Sequence, residues 1–228
     1  MKKLLAEFFG TFCLVFAGTG AIIINDVSGG SISHVGIALT FGLIVLAMIY
    51  SVGDISGAHL NPAVTIGFFA ARRFAGRQVL PYIASQLCGA FAASLLLRGL
   101  FPAHATLGAT LPAGSAAQSF VFEFVLTGIL MFVILSVSTG ARERGITAGI
   151  VVGAVIALEA MFAGPICGAS MNPARSIAPA VVGLHLSSLW LYIIAPTFGA
   201  LAAVAGCRCM REEGCCAALP RALTITTP

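Results

Sequence analysis

Residues 56–73, SGAHLNPAVTIGFFAARR, and their near copy at residues 167–182, CGASMNPARSIAPAVV, decide the fold. Each is apolar past an Asn-Pro-Ala tripeptide, formed by Asn61, Pro62 and Ala63 and by Asn172, Pro173 and Ala174, yet each is too short to cross a bilayer. Asparagine is a preferred N-cap, proline suits the first helical turn where its missing N–H costs nothing, and alanine continues the helix. Each tripeptide therefore starts a helix that enters the membrane and returns. Backbone of that kind is tolerated at membrane depth only where it is buried in protein or lines a water-filled cavity, so two such segments meeting make a pore. With both helices starting at the bilayer centre, their positive dipole ends and the amides of Asn61 and Asn172 face the lumen together and oppose cations. Neutral molecules carrying hydroxyls can accept hydrogen bonds there, a design that passes water or polyols without proton leakage.

Around these segments lie six apolar runs long enough to span, at roughly 4–24, 35–53, 79–98, 118–139, 146–164 and 188–206. The composition agrees: 59% of the 228 residues are hydrophobic and 9% charged, against roughly 25% charged in soluble domains. Lys2 and Lys3 before the first run imitate a signal peptide, but the run is too long and no small-residue cleavage site closes it. The expected fold is an all-α membrane protein with six transmembrane helices and two re-entrant half-helices, one channel domain over residues 1–228.

With the N-terminus inside, Lys2, Lys3, Arg72, Arg73, Arg77, Arg142, Arg144, Arg208, Arg211 and Arg221 fall on the cytoplasmic side, leaving Arg98 and Arg175 elsewhere. The positive-inside rule selects that orientation, with both termini and the tail at 209–228 cytoplasmic. Glu7, Phe8, Thr11, Leu14 and Phe16 recur with the same spacing as Glu123, Phe124, Thr127, Leu130 and Phe132. The repeats, about 1–100 and 118–208, hold three spans each, so the second enters from the opposite side, an inverted 3+3 arrangement with its site where the halves meet. The two repeated glutamates are expected to satisfy loop backbone groups, because unpaired charge is costly in hydrocarbon.

Several function classes lose support. Nearly all basic residues sit in short loops where they orient helices, so the net charge of +4 does not argue for nucleic acid. No nucleophile and base, metal-ligand spacing or nucleotide loop stands in a motif context, which sets an enzyme aside, and no cofactor is implied. An ion-coupled transporter usually keeps carboxylates near the midplane, where this chain has asparagines. A structural or adhesive membrane protein stays as an alternative that permeation measurements decide.

HLNPAVT, MNPARS and the repeated Glu-Phe-x-x-Thr helix starts resemble the major intrinsic protein family, the aquaporins and glycerol channels, along the entire chain. The resemblance implies a homotetramer embedded in lipid with one pore per subunit. GSAAQSFVFEF, GILMFV, FAGPICGASMNPARS and LWLYIIAP are most similar to the nodulin-type branch, which implies passage of glycerol and of arsenous, boric or silicic acid. The family's four-residue outer constriction maps onto Phe41, Ala160, Ala169 and Arg175. Water-selective members place a histidine where Ala160 stands; glycerol-selective members usually carry tryptophan or another aromatic at Phe41 or an aromatic at Ala169, and aspartate at Ser176. This chain departs from both patterns. One aromatic, two alanines and one guanidinium leave room for a molecule larger than water, with a fixed donor fork to orient hydroxyls. A mainly water-selective channel is the alternative, and a structural arginine holding loop carbonyls is a second reading of Arg175. The short termini resemble prokaryotic members and imply a bacterial cell (inner) membrane.

Other residues leave alternatives open. His59 is a candidate for the inner vestibule, and Cys167, five positions before Asn172, for the outer one, where it would admit mercurials or bind arsenite; a buried thiol is the competing reading. Cys13 and Cys88 read as small apolar helix residues. In the tail, Cys207, Cys209, Cys215 and Cys216 would suit a thiophilic metal or metalloid, with acylation and a disordered segment as competing readings, and no zinc spacing is met. Glu159 is expected either to bond loop backbone behind the filter or to lie at a subunit interface. Asp54, His34, His104 and His185 read as solvated.

Overall fold

The computed structural model describes residues 1–138 and 142–210, with side chains from Thr147 onward in the second stretch. Eight helices occupy these residues: α1 (Lys2–Val27), α2 (Ser33–Ser56), α3 (Pro62–Ala70), α4 (Gly76–Leu100), α5 (Ala116–Val137), α6 (Arg142–Cys167), α7 (Pro173–Gly183) and α8 (Leu189–Met210). Six are long and apolar enough to cross a bilayer. Helices α3 and α7, with 9 and 11 residues, are the expected half-helices. Large apolar side chains stand exposed on the long helices, among them Phe9, Leu43, Leu80, Val121 and Phe162, as a lipid-facing surface requires.

The two halves pack alike. Helix α1 lies against α2 and α4, α5 against α6 and α8, and α2 meets α6 across the middle. Without a hydrophobic drive between helices in lipid, close approach depends on small residues. A Cβ on Gly42 would overlap the carbonyl oxygen of Gly153, and one on Gly153 would overlap that of Gly42. Gly89 approaches the Phe8 carbonyl in the first half as Gly199 approaches the Phe124 carbonyl in the second.

The repeated glutamates hold the loops that lead into the half-helices. Glu7 accepts from the His59 and Leu60 N–H groups at 2.9 and 2.8 Å, from Ser56 Oγ at 2.7 Å and from Gln86 Nε2 at 2.8 Å. Glu123 accepts from Ser170 and Met171 N–H at 2.7 and 2.8 Å. Tyr82 and Tyr192 complete the match, donating to the carbonyls of Ser56 and Cys167 at 2.9 and 2.8 Å. These bonds fix backbone that side chains rarely adopt: φ is +46° at Ala58 and +51° at Leu60, and +39° at Ala169 and +53° at Met171.

Proline shapes α6. Pro165 has no N–H to bond the Met161 carbonyl, and His34 Nε2 donates to that oxygen instead at 2.8 Å. His34 is solvent-exposed, as read from the sequence, and also joins α2 to α6.

Candidate pore and its constriction

Both half-helices start as the tripeptides dictate. Asn61 and Asn172 have extended backbone and cap their helices, Asn61 accepting from Ala63 N–H at 2.9 Å and Asn172 from Ala174 and Arg175 N–H at 3.0 and 3.3 Å. Each asparagine also reaches into the other half. Asn61 Nδ2 donates to the Met171 carbonyl at 2.7 Å, and Asn172 Nδ2 donates to the Leu60 carbonyl at 2.9 Å. The second hydrogen of each amide remains for the lumen.

Both asparagines line a cavity enclosed between the two halves. Its middle is walled by apolar side chains of both halves, including Leu14, Val45, Leu130 and Val152. Phe41, Ala169 and Arg175 line one end; His59, Phe68, Val137 and Ser138 line the other. At the first end the Arg175 guanidinium carbon lies 5.0 Å from the Phe41 ring centroid. Nη1 of Arg175 donates to the Gly108 carbonyl at 3.0 Å, so this arginine does hold a loop carbonyl while lining the cavity. Ala160 is buried in the core beside this end but does not line the cavity, because a methyl group is too short to reach it. Ser176, where glycerol-selective patterns carry aspartate, instead joins a hydroxyl chain, with Thr110 donating to it at 2.8 Å and Ser170 at 2.5 Å from it.

His59 sits at the other mouth in an aromatic cluster, stacked on Phe68 with centroids 4.6 Å apart and edged by Phe74 and Tyr82. Its Nδ1 lies 3.2 Å from Thr65 Oγ1.

Three expectations need correction. Cys167 has no exposed surface and does not reach the cavity; its thiol donates to the Ala163 carbonyl at 3.5 Å and accepts from Ala169 N–H at 3.4 Å. The turn that redirects the chain after α6 folds the thiol inward. Glu159 is 1% exposed, which removes it from a subunit interface, and neither carboxyl oxygen has a hydrogen-bond partner among the described residues, which removes the loop-backbone role. His104 and His185 are loop anchors: His104 accepts from Leu107 N–H at 3.0 Å, and His185 Nε2 donates to the Ala105 carbonyl at 3.1 Å. Cys207 is buried and Cys209 exposed at the end of α8, while Cys215 and Cys216 lie outside the described residues. Among the described residues no three His, Cys, Asp or Glu side chains converge as metal ligands would.

The loop at 101–115 is the part that sequence reasoning missed. FPAHATLGATLPAGS carries no periodicity or motif, and only Gly108, at φ +68° against Thr19, marks a point where backbone must come close.

Comparison with known proteins agrees with this geometry. The model of the family described as major intrinsic protein matches residues 1–206. Aquaporin NIP1-1 of Oryza sativa subsp. japonica is 51% identical over 203 residues, covering 89% of this chain and 72% of the relative. Nodulin-26 of Glycine max is 45% identical over 203 residues, covering 89% of this chain and 75% of the relative. The X-ray structure of the aquaglyceroporin from Plasmodium falciparum superposes with a TM-score of 0.81 at 28% identity, over 90% of this chain and 93% of that one.

Proposed function

Because the chain belongs to the major intrinsic protein family, and so forms a membrane channel for water and small solutes and not an enzyme, we propose that it conducts small uncharged polyhydroxy species. These are metalloid acids such as arsenous, boric or silicic acid, and glycerol, together with water; ions and protons are excluded. The observation that carries the reading is the end of the cavity lined by Phe41, Arg175 and Ala169, where the guanidinium carbon lies over the Phe41 ring at 5.0 Å from its centroid and Ala169 supplies no bulk. Phe41, Ala160, Ala169 and Arg175 form the selectivity filter, and Asn61-Pro62-Ala63 and Asn172-Pro173-Ala174 the central barrier.

The chemistry supports neutral cargo. The guanidinium, two half-helix N-termini and two asparagine amides present only positive potential to the lumen, which opposes cations. A donor fork held in place by Gly108 orients hydroxyl oxygens of an uncharged solute. Apolar walls offer a passing water few partners from which to build a proton wire.

The same reading places both termini on the cytoplasmic side of the cell (inner) membrane, makes residues 1–228 one channel domain with repeats at about 1–100 and 118–208, and assembles the subunits as a homotetramer with one pore each. Arsenous acid uptake into cells expressing the chain tests the function: uptake above control cells that stops on Arg175→Glu supports it. Uptake equal to control cells while osmotic swelling still accelerates would assign a water-selective channel instead.

A further inference from the structure

Arg175 owes its position to a loop with a titratable anchor. The carbonyl that holds its guanidinium belongs to Gly108. The preceding residue, Leu107, is fully buried with φ +52°, and its N–H donates to His104 Nδ1 at 3.0 Å. That bond needs a lone pair on Nδ1, so the ring is neutral with its proton on Nε2, which faces Asp26 Oδ2 at 3.3 Å. The ring thus ties the end of α1 to the backbone next to the filter carbonyl.

We propose that His104 is a positioning residue for Arg175, and that its protonation from the face carrying the 101–115 loop releases the filter arginine and lowers solute flux. This rests on the assignment of Arg175 to the filter. Histidine is the side chain whose charge changes between about pH 5 and 8. A second proton can land only on Nδ1, where it meets the Leu107 N–H head on and breaks the bond.

Charged groups of both signs face the ring. Asp26, at the end of α1, lies 3.3 Å from Nε2 and favours the cation. Arg98 of α4 donates to the carbonyl of His104 itself at 3.0 Å and repels a positive ring. His185, between α7 and α8, holds the neighbouring Ala105 carbonyl. Leu107 is left with a buried, unpaired N–H in a left-handed conformation, a costly state that the loop relieves by moving. Gly108 follows Leu107 directly in the chain, so the displacement is passed to it and its close packing on Thr19 is lost. Arg175 then loses its acceptor, and the guanidinium turns into the opening beside Phe41.

The test measures glycerol and water flux in cells or oriented vesicles as pH is lowered from about 7.5 to 5 on the loop-bearing face alone. Wild-type glycerol flux is expected to fall several-fold. His104→Gln keeps an oxygen to accept from Leu107 and an amide to donate to Asp26, so its flux is expected to match wild type at neutral pH and stay flat on acidification. His104→Ala, with neither bond, is expected to show reduced flux at every pH while retaining the wild-type elution profile in detergent. A flat wild-type profile, or a His104→Gln profile that falls like wild type, overturns the assignment. Arg175→Ala separates the two readings: if it leaves glycerol-to-water discrimination unchanged, the filter reading fails, and if it abolishes discrimination while wild type is flat with pH, His104 alone fails.

Discussion

The Arg175 guanidinium carbon lies over the Phe41 ring, 5.0 Å from its centroid, at one end of the cavity, and the other two residues of the proposed ring are alanines. The opening beside them is bounded by Ala169, with Ala160 buried off the cavity lining. Ala160→His is expected to extend an imidazole into it. Glycerol and arsenous acid flux is expected to fall about tenfold, a barrier change of roughly 1.4 kcal/mol, while water flux persists. Stopped-flow light scattering on vesicles reads both, and unchanged glycerol flux would remove Ala160 from the ring.

Glu123 accepts from the N–H groups of Ser170 and Met171, both in the backbone that carries Asn172 into the lumen. Glu123→Ala leaves two buried donors unpaired, at about 1–3 kcal/mol each. A large drop in the thermal unfolding temperature in detergent is expected, together with loss of flux. Leu80→Ala, on the exposed face of α4, is expected to stay within about 0.5 kcal/mol of wild type.

At the crossing of α2 and α6, Gly42 and Gly153 each meet the other's carbonyl oxygen. Gly153→Leu forces the helices apart, and overpacking of this kind costs about 1–3 kcal/mol. Thermal unfolding is expected to show the loss, and Gly206→Leu, with nothing near it, is expected to show none.

Cys167 is enclosed, so thiol reagents entering from the vestibule should not reach it. Mass spectrometry after maleimide treatment is expected to find Cys209, exposed at the end of α8, modified and Cys167 intact. Cys167→Ser is expected to leave any mercurial inhibition as it was; loss of that inhibition would return Cys167 to the pore.

Most of the architecture was legible in the sequence because membrane folds write their rules in composition. The six spans follow from length and apolarity, and the half-helices from tripeptides that both cap a helix and are too short to span. The roles of Glu7 and Glu123 followed from the cost of unpaired charge, and the structure gives each the backbone N–H groups expected. What escaped were contacts made by side chains far apart in the chain through irregular backbone. His104 reaches Arg175 only through Leu107 and Gly108, and His34 reaches Met161 only because Pro165 vacates a carbonyl. Of the two readings open for Cys167, the buried thiol is the one the structure has, and sequence distance from Asn172 alone does not say which way a left-handed turn throws a side chain. Glu159 stands within the core with no partner for its carboxyl oxygens among the described residues, and no spacing rule signals that.

The central claim, a ring wide enough for uncharged solutes, is tested most directly by purified protein in liposomes, comparing osmotic water flux with glycerol and arsenous acid uptake. The account predicts solute flux well above that of empty liposomes, with no ionic conductance in the same membranes. Water flux accompanied by solute flux no greater than that of empty liposomes would contradict it, showing that Phe41 and Arg175 alone close the ring.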